Sequence, residues 1–172
     1  MGMENPSEPP GTALTPDEWR GKEIFFRNFH TKFTYSWDTG VAIGHFLEAL
    51  KGGKIVGRSC SGCNRVLVPP RMFCELCFRP TDDWIDVLDT GVVNTFSISY
   101  VNNDASRREQ PLFVAVINID GASPGMGFLH LLGEVDAGQI HVGMKVRAKW
   151  KPAHERTGAI TDISYFKPSE GL

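Results

Sequence analysis

Cys60-Ser-Gly-Cys63 and Cys74-Glu-Leu-Cys77 are two C-x2-C knuckles separated by ten residues. Each knuckle can present two thiolates from one tight turn, and four thiolates converging at about 2.3 Å hold a tetrahedral ion. The intervening Arg65-Val-Leu-Val-Pro-Pro-Arg71 reads as a short strand and turn that folds the second knuckle over the first. Zinc is the expected occupant. With Cys60, Cys63, Cys74 and Cys77 filling every position, no site is left for a catalytic water, so the expected role of Zn2+ is structural. A rubredoxin-like iron site uses the same four thiolates, and spacing alone does not separate the two metals. Colour would. The knuckles use all four cysteines of the chain, and in a reducing cytoplasm such a cluster points to a metal rather than to disulfides.

No other constellation of comparable strength is present. The five histidines (His30, His45, His130, His141 and His154) are scattered. None has ligand spacing or stands beside a nucleophile motif, and G-x-S-x-G, H-E-x-x-H and phosphate-loop patterns are missing. His130 lies in an apolar run, where a satisfied core histidine is a commoner finding than a base. Gly125-Met-Gly127 reads as a turn rather than a dinucleotide fingerprint. The sequence assembles no active site of its own.

Positive charge is unevenly placed. Residues 51–80 and 143–156 carry +5 and +4 against a total of −2, so the remainder is −11. Lys145, Arg147, Lys149 and Lys151 recur with a period of two, so on a strand they would share one cationic face. That face could meet phosphates, or it could be a solvated surface opposite a Val146/Ala148/Trp150 core face. Arg58, Arg71 and Arg79 beside the knuckles carry the same two readings. The net charge argues against a general nucleic-acid binder.

These groups must be positioned by the rest of the 172 residues, of which 41% are hydrophobic. Eighteen glycines and eleven prolines favour short strands and many turns. Residues 1–14 read as a disordered tail and 15–53 as an N-terminal helical segment. Thr15-Pro16-Asp17-Glu18 has the form of a capping box, starting a helix that would carry Trp19, Phe26 and Phe29 and end near His30. A second helix is expected from about Thr39 to Lys51, with Ile43, Phe46, Leu47 and Leu50 as its apolar stripe and Gly52-Gly53 beyond its end. Phe33-Thr-Tyr35-Ser-Trp37 suits a short extended segment. The metal-binding ribbon would occupy 54–83 and a barrel 84–168. The barrel's strands are expected around Phe96–Tyr100, Leu112–Ile119, Phe128–Val135, Val146–Trp150 and Ile160–Phe166. No apolar run approaches the roughly 20 residues that cross a bilayer. Met1 to Thr15 lacks both the basic residues and the apolar stretch of a secretion signal, so a cytoplasmic protein without membrane contact is expected.

The order of parts resembles a known family. Phe46-Leu-Glu-Ala-Leu-Lys-Gly-Gly-Lys-Ile-Val-Gly-Arg58 runs into Cys60-x2-Cys63, then Val68-Pro-Pro-Arg71, then Cys74-x2-Cys77. Gly91-Val-Val-Asn-Thr-Phe96 and His141-Val-Gly-Met-Lys-Val146 follow in the barrel. Over roughly 40–167 this is similar to the "domain of unknown function thirty-five" family. The resemblance implies a mainly β fold with N-terminal helices, a rubredoxin-like zinc ribbon followed by a five-stranded OB-fold barrel. It also implies a non-catalytic subunit that binds acyl-CoA and forms a hetero-oligomer with a thiolase or thiolase-like aldolase, which would supply the reactive residues. Carried over, Cys60, Cys63, Cys74 and Cys77 are the zinc ligands. Arg58, Arg71, Lys145 and Arg147 are assigned to CoA from charge alone. Trp19, Phe25, Phe26, Phe29, Tyr35 and Trp37 belong to an N-terminal extension that could pack on the partner or line an aromatic acyl pocket, in keeping with relatives that serve degradation of aromatic or steroid acids. The alternatives are a single-stranded nucleic-acid module, since ribbons and OB-folds both serve that purpose, and an iron electron carrier.

Overall fold

In a computed structural model of the protein, residues 15–21, 33–102 and 104–169 are described. The tail expected over 1–14 and the continuation of the first helix through Phe25, Phe26, Phe29 and His30 lie outside them. The chain divides into two units, Met1–Trp37 and Asp38–Leu172. In the first, α1 (Pro16–Gly21) opens through the expected capping box. The Thr15 N–H donates to Glu18 Oε2 at 2.8 Å and the Glu18 N–H donates to Thr15 Oγ1 at 3.3 Å. Phe33–Trp37 forms no hydrogen-bonded strand.

The second unit begins with α2 (Gly40–Lys51). Its end is a Schellman motif. Gly53 takes a left-handed φ of 79°, its N–H donates to the Leu50 carbonyl, and the Lys54 N–H donates to that of Ala49. The buried stripe is Ala42, Phe46 and Leu50, while Ile43 is exposed. The apolar face is therefore centred on Phe46, a fraction of a turn away from the expected stripe.

Three short strands follow in the order β2-β1-β3, all antiparallel: β1 (Ile55–Cys60), β2 (Arg65–Leu67) and β3 (Trp84–Val87). The first knuckle is the turn between β1 and β2, and the second hangs between β2 and β3. Trp84–Val87 thus pairs with Ile55–Arg58 and completes the ribbon sheet. The other sheet contains β4 (Thr90–Val101), β5 (Arg107–Ile119), β6 (Gly127–Leu131), β7 (Lys145–Trp150) and β8 (Ile163–Pro168), in the order β6-β5-β4-β7-β8. Its two edges meet at a single parallel bridge between Leu132 and Phe166. That order and that parallel meeting of edges are those of a partly open OB-fold. One core runs through both sheets, with Phe46 and Leu50 of α2, Ile55 of the ribbon, and Val93, Ile117 and Phe166 of the barrel.

The first two barrel strands begin earlier than expected, at Thr90 and Arg107, and two further limits move for a local reason. The Phe128 strand stops at Leu131, and Glu134 shortly beyond adopts a left-handed φ of 53° that no strand continues. The last strand starts at Ile163 because Ile160–Asp162 forms a single 3-10 turn. There the fully buried Asp162 carboxylate accepts N–H groups of Thr157, Gly158 and Ala159 at 3.0, 2.7 and 3.1 Å. Burial pushes its pKa up, but these donors outweigh burial and hold it below the usual carboxylate value. A carboxyl whose folded pKa is depressed adds stability above its unfolded pKa, and that stability is lost as pH falls through the folded value. Asp162→Asn is therefore expected to lower the melting temperature at pH 7 and to flatten its decline between about pH 5 and pH 2. Thermal melts across that range would show both effects.

Candidate metal centre

Cys60 ends β1, Cys63 closes its turn, and Cys74 and Cys77 form the second turn beneath it. All four Sγ atoms lie within 4.8 Å of one another. Cys60 and Cys77 Sγ are 3.6 Å apart, and Cys63 and Cys74 Sγ are 3.8 Å apart. A central ion about 2.3 Å from each sulfur would place the sulfurs about 3.8 Å apart along a tetrahedron's edges. Cys60 and Cys74 are buried and pack on Leu67 in a small second core.

The thiols' electrostatics point the same way. The neighbouring Cys77 thiol and burial push Cys63 up to about 12, and burial raises Cys60. The Cys77 and Leu76 N–H groups, in contrast, pull Cys74 down to about 6. Cys74 is prepared to be an anion while Cys60 and Cys63 resist joining it, a conflict that a divalent cation resolves. The donor set fits a structural zinc ion, which would tie the two knuckles together and leave no coordination position open.

The residues assigned to CoA from charge occupy two separate settings. Arg58 needs correction: it lies in β1 turned inward and buried. Its Nε and Nη2 donate to Thr81 Oγ1 and to the Thr81 carbonyl at 2.9 and 2.6 Å, and its guanidinium covers the Trp84 ring at 4.7 Å. The Thr81 hydroxyl in turn donates to the Arg71 carbonyl at 2.7 Å. Arg58 is thus a strut that fixes the second knuckle's exit: it is buried, and Thr81 takes its Nε and one Nη2 donor. Arg58→Ala should cost about 2–3 kcal/mol by stranding these groups, read as a lower urea midpoint at unchanged zinc content. The Arg71 side chain is half-exposed and pairs with Glu75 at 3.1 Å, where Arg65 also binds at 2.7 Å.

Lys145 and Arg147 lie in the other setting, on the outer face of β7, with Lys149 beside them and Val146 and Ala148 buried behind. Charge alternates as the sequence pattern requires. What the pattern does not show is the neighbouring strand, which sets Lys167 directly opposite Arg147. Glu134 takes Lys167 Nζ at 3.0 Å and the Tyr165 hydroxyl at 2.7 Å. His130 is a satisfied interior residue, accepting the Leu131 N–H at Nδ1 and facing the Ile160 carbonyl with Nε2 at 3.2 Å. Burial holds its pKa below the ordinary histidine value. No helix among the described residues is long and apolar enough to cross a membrane.

Residues 47–83 match the family model described as "ChsH2, rubredoxin-like zinc ribbon domain", and residues 84–151 match "ChsH2, C-terminal OB-fold domain". Among solved structures, the chain is similar to a protein of unknown function from the DUF35 family of Sulfolobus solfataricus. The two are 25% identical, with a TM-score of 0.55, over 73% of this chain and 83% of that one. It is also similar in fold to a structure described as "Ltp2-ChsH2(DUF35) aldolase". Here the identity is 20% and the TM-score 0.55, over 77% of this chain and 98% of the other. No curated protein matches the chain.

Proposed function

Since the chain belongs to the DUF35 family, we propose that it is a non-catalytic, zinc-stabilised subunit that binds acyl-CoA and joins a thiolase or thiolase-like aldolase in a cytoplasmic hetero-oligomer. The observation that carries this reading is the metal centre: four protein sulfurs of Cys60, Cys63, Cys74 and Cys77 lie where they would complete a tetrahedron. A zinc held there has no position for a water or a substrate carbonyl, so it fastens the ribbon and leaves bond making and breaking to a partner. A structure similar in fold is described as an Ltp2-ChsH2(DUF35) aldolase, which supports a partner of that kind.

The acyl-CoA part rests on the outer face of β7. Arg147 faces Lys167 across the strand pair, with Lys145 and Lys149 on either side. Glu134 already neutralises Lys167, which leaves Lys145, Arg147 and Lys149 as the cations of this face that a phosphate-rich nucleotide end would meet. Arg71 on the ribbon is a second, separate contact in this reading, and the acyl class is taken to be aromatic or steroid-derived.

Co-expression with a thiolase-like subunit, followed by calorimetric titration of the purified complex with CoA, tests both parts. A stable complex is expected, and the double variant K145A/R147A should bind CoA roughly tenfold more weakly, with a shallower salt dependence. A complex that never forms would remove the partner, and unchanged binding by the double variant would remove the phosphate contact. Tight, steeply salt-dependent binding of single-stranded oligonucleotides would instead favour the nucleic-acid module.

A further inference from the structure

The second knuckle carries an exposed apolar cluster that the metal does not explain. Phe73, Leu76 and Phe78 are 62%, 63% and 83% exposed, and Met72 beside them is 38% exposed. A side chain that only filled the small core around Cys60, Leu67 and Cys74 would be turned inward. These point out.

Phe78 is also in an unfavourable backbone conformation for its type. The Phe78 N–H donates to the Cys74 carbonyl and the Cys74 N–H donates to the Arg79 carbonyl, both at 2.9 Å, which closes the turn. The turn sets Phe78 at φ 56°. Asn64 holds the matching place after the first knuckle at φ 51°. Asparagine tolerates this left-handed region, whereas a bulky residue there is an outlier that something else must retain. The same molecule thus shows the unstrained solution at one knuckle and departs from it at the other, in favour of an aromatic ring held in solvent.

We propose that Phe78, with Phe73 and Leu76, is the anchor by which the ribbon docks on the thiolase-like subunit; this rests on the function proposed above. The cluster crowns a turn and projects outward, and none of it lines the cleft of about 380 Å3 beside the first knuckle. Small ligands need concave sites, so the matching cavity belongs to a macromolecule. Arginines flank the rings: Arg71 shares Glu75 with Arg65, and Arg79 is exposed at the other edge. Aromatic rings flanked by arginine form the usual centre of a protein interface. The occupant is therefore an apolar pocket of the partner subunit with carboxylates on its rim.

Phe78→Asn separates this role from a structural one, because it removes the ring and relieves the backbone at once. Its melting temperature should be no lower than that of the unaltered chain, with zinc content unchanged. Its affinity for the thiolase-like subunit that co-purifies with the full chain should fall at least about tenfold. Leu76→Ser, altered at an exposed position, should weaken docking in the same direction. Wild-type affinity in both variants would overturn the anchor while leaving the proposed function standing, and an unaltered chain that binds no thiolase-like subunit would overturn both. Loss of self-association instead, seen by analytical ultracentrifugation of the chain alone, would assign the cluster to a second copy and overturn the proposed occupant.

Discussion

Removing the metal, by chelation or by Cys74→Ser, is expected to abolish the cooperative folding of the ribbon. The ribbon sheet consists of strands of six, three and four residues, and the small core beside the metal has only Leu67 besides the sulfurs as a fully buried apolar side chain. The ribbon's buried Ile55, Val56 and Val68 belong to the main core, so the surface buried beside the metal does not offset the entropy of ordering two knuckles. A structural zinc contributes about 10–16 kcal/mol of binding free energy near neutral pH, comparable to or greater than the whole stability of a typical domain. The loss should spread, since β1 also pairs with β3 and supports α2. A drop in melting temperature of more than about 10 °C, together with lost near-ultraviolet circular dichroism, is the expected result. Binding requires the thiols to give up protons, so the loaded state is favoured as pH rises and lost as pH falls, and zinc titrations at pH 5 and 8 would show that order.

The second large effect is expected at Gly127, the first residue of β6. It pairs with Asn118, and a methyl group on its Cα would fall on the Ile117 carbonyl oxygen. No flexible side chain can yield there, because the obstacle is the backbone of β5. Gly127→Ala must therefore push β6 away from β5, weaken their ladder and disturb the nearby meeting of the sheet edges at Leu132 and Phe166. A loss of roughly 2–3 kcal/mol is expected, whereas Gly125→Ala, with nothing within 4 Å but a φ of 77°, should incur only the smaller conformational penalty of a left-handed alanine. Urea unfolding of the two variants separates clash from backbone strain.

The metal centre was readable from sequence because a C-x2-C knuckle is a local rule: two ligands and their turn lie within four residues. The barrel strands were readable from alternation at Phe96–Tyr100 and Val146–Trp150 and from β-branched and aromatic runs at Leu112–Ile119 and Phe128–Val135. Their limits were not, because Asp162 and Glu134 act through hydrogen bonding and backbone conformation that no hydropathy pattern records. Arg58 shows the same gap. A cation in a β-branched strand can be a phosphate contact or a buried strut, and only the positions of Thr81 and Trp84 decide. The opposition of Arg147 and Lys167 depends on strand register, and the strained exposure of Phe78 depends on the sign of one dihedral angle. Neither leaves a mark on composition.

In the proposed complex this chain supplies a fastened scaffold and another polypeptide supplies the chemistry. Turnover of an acyl-CoA thioester should be measured for the purified, zinc-loaded chain alone and for the same chain reconstituted with its thiolase-like subunit. Background rates are expected for the first and full activity only for the pair. Catalytic turnover by the isolated chain would contradict that division of roles.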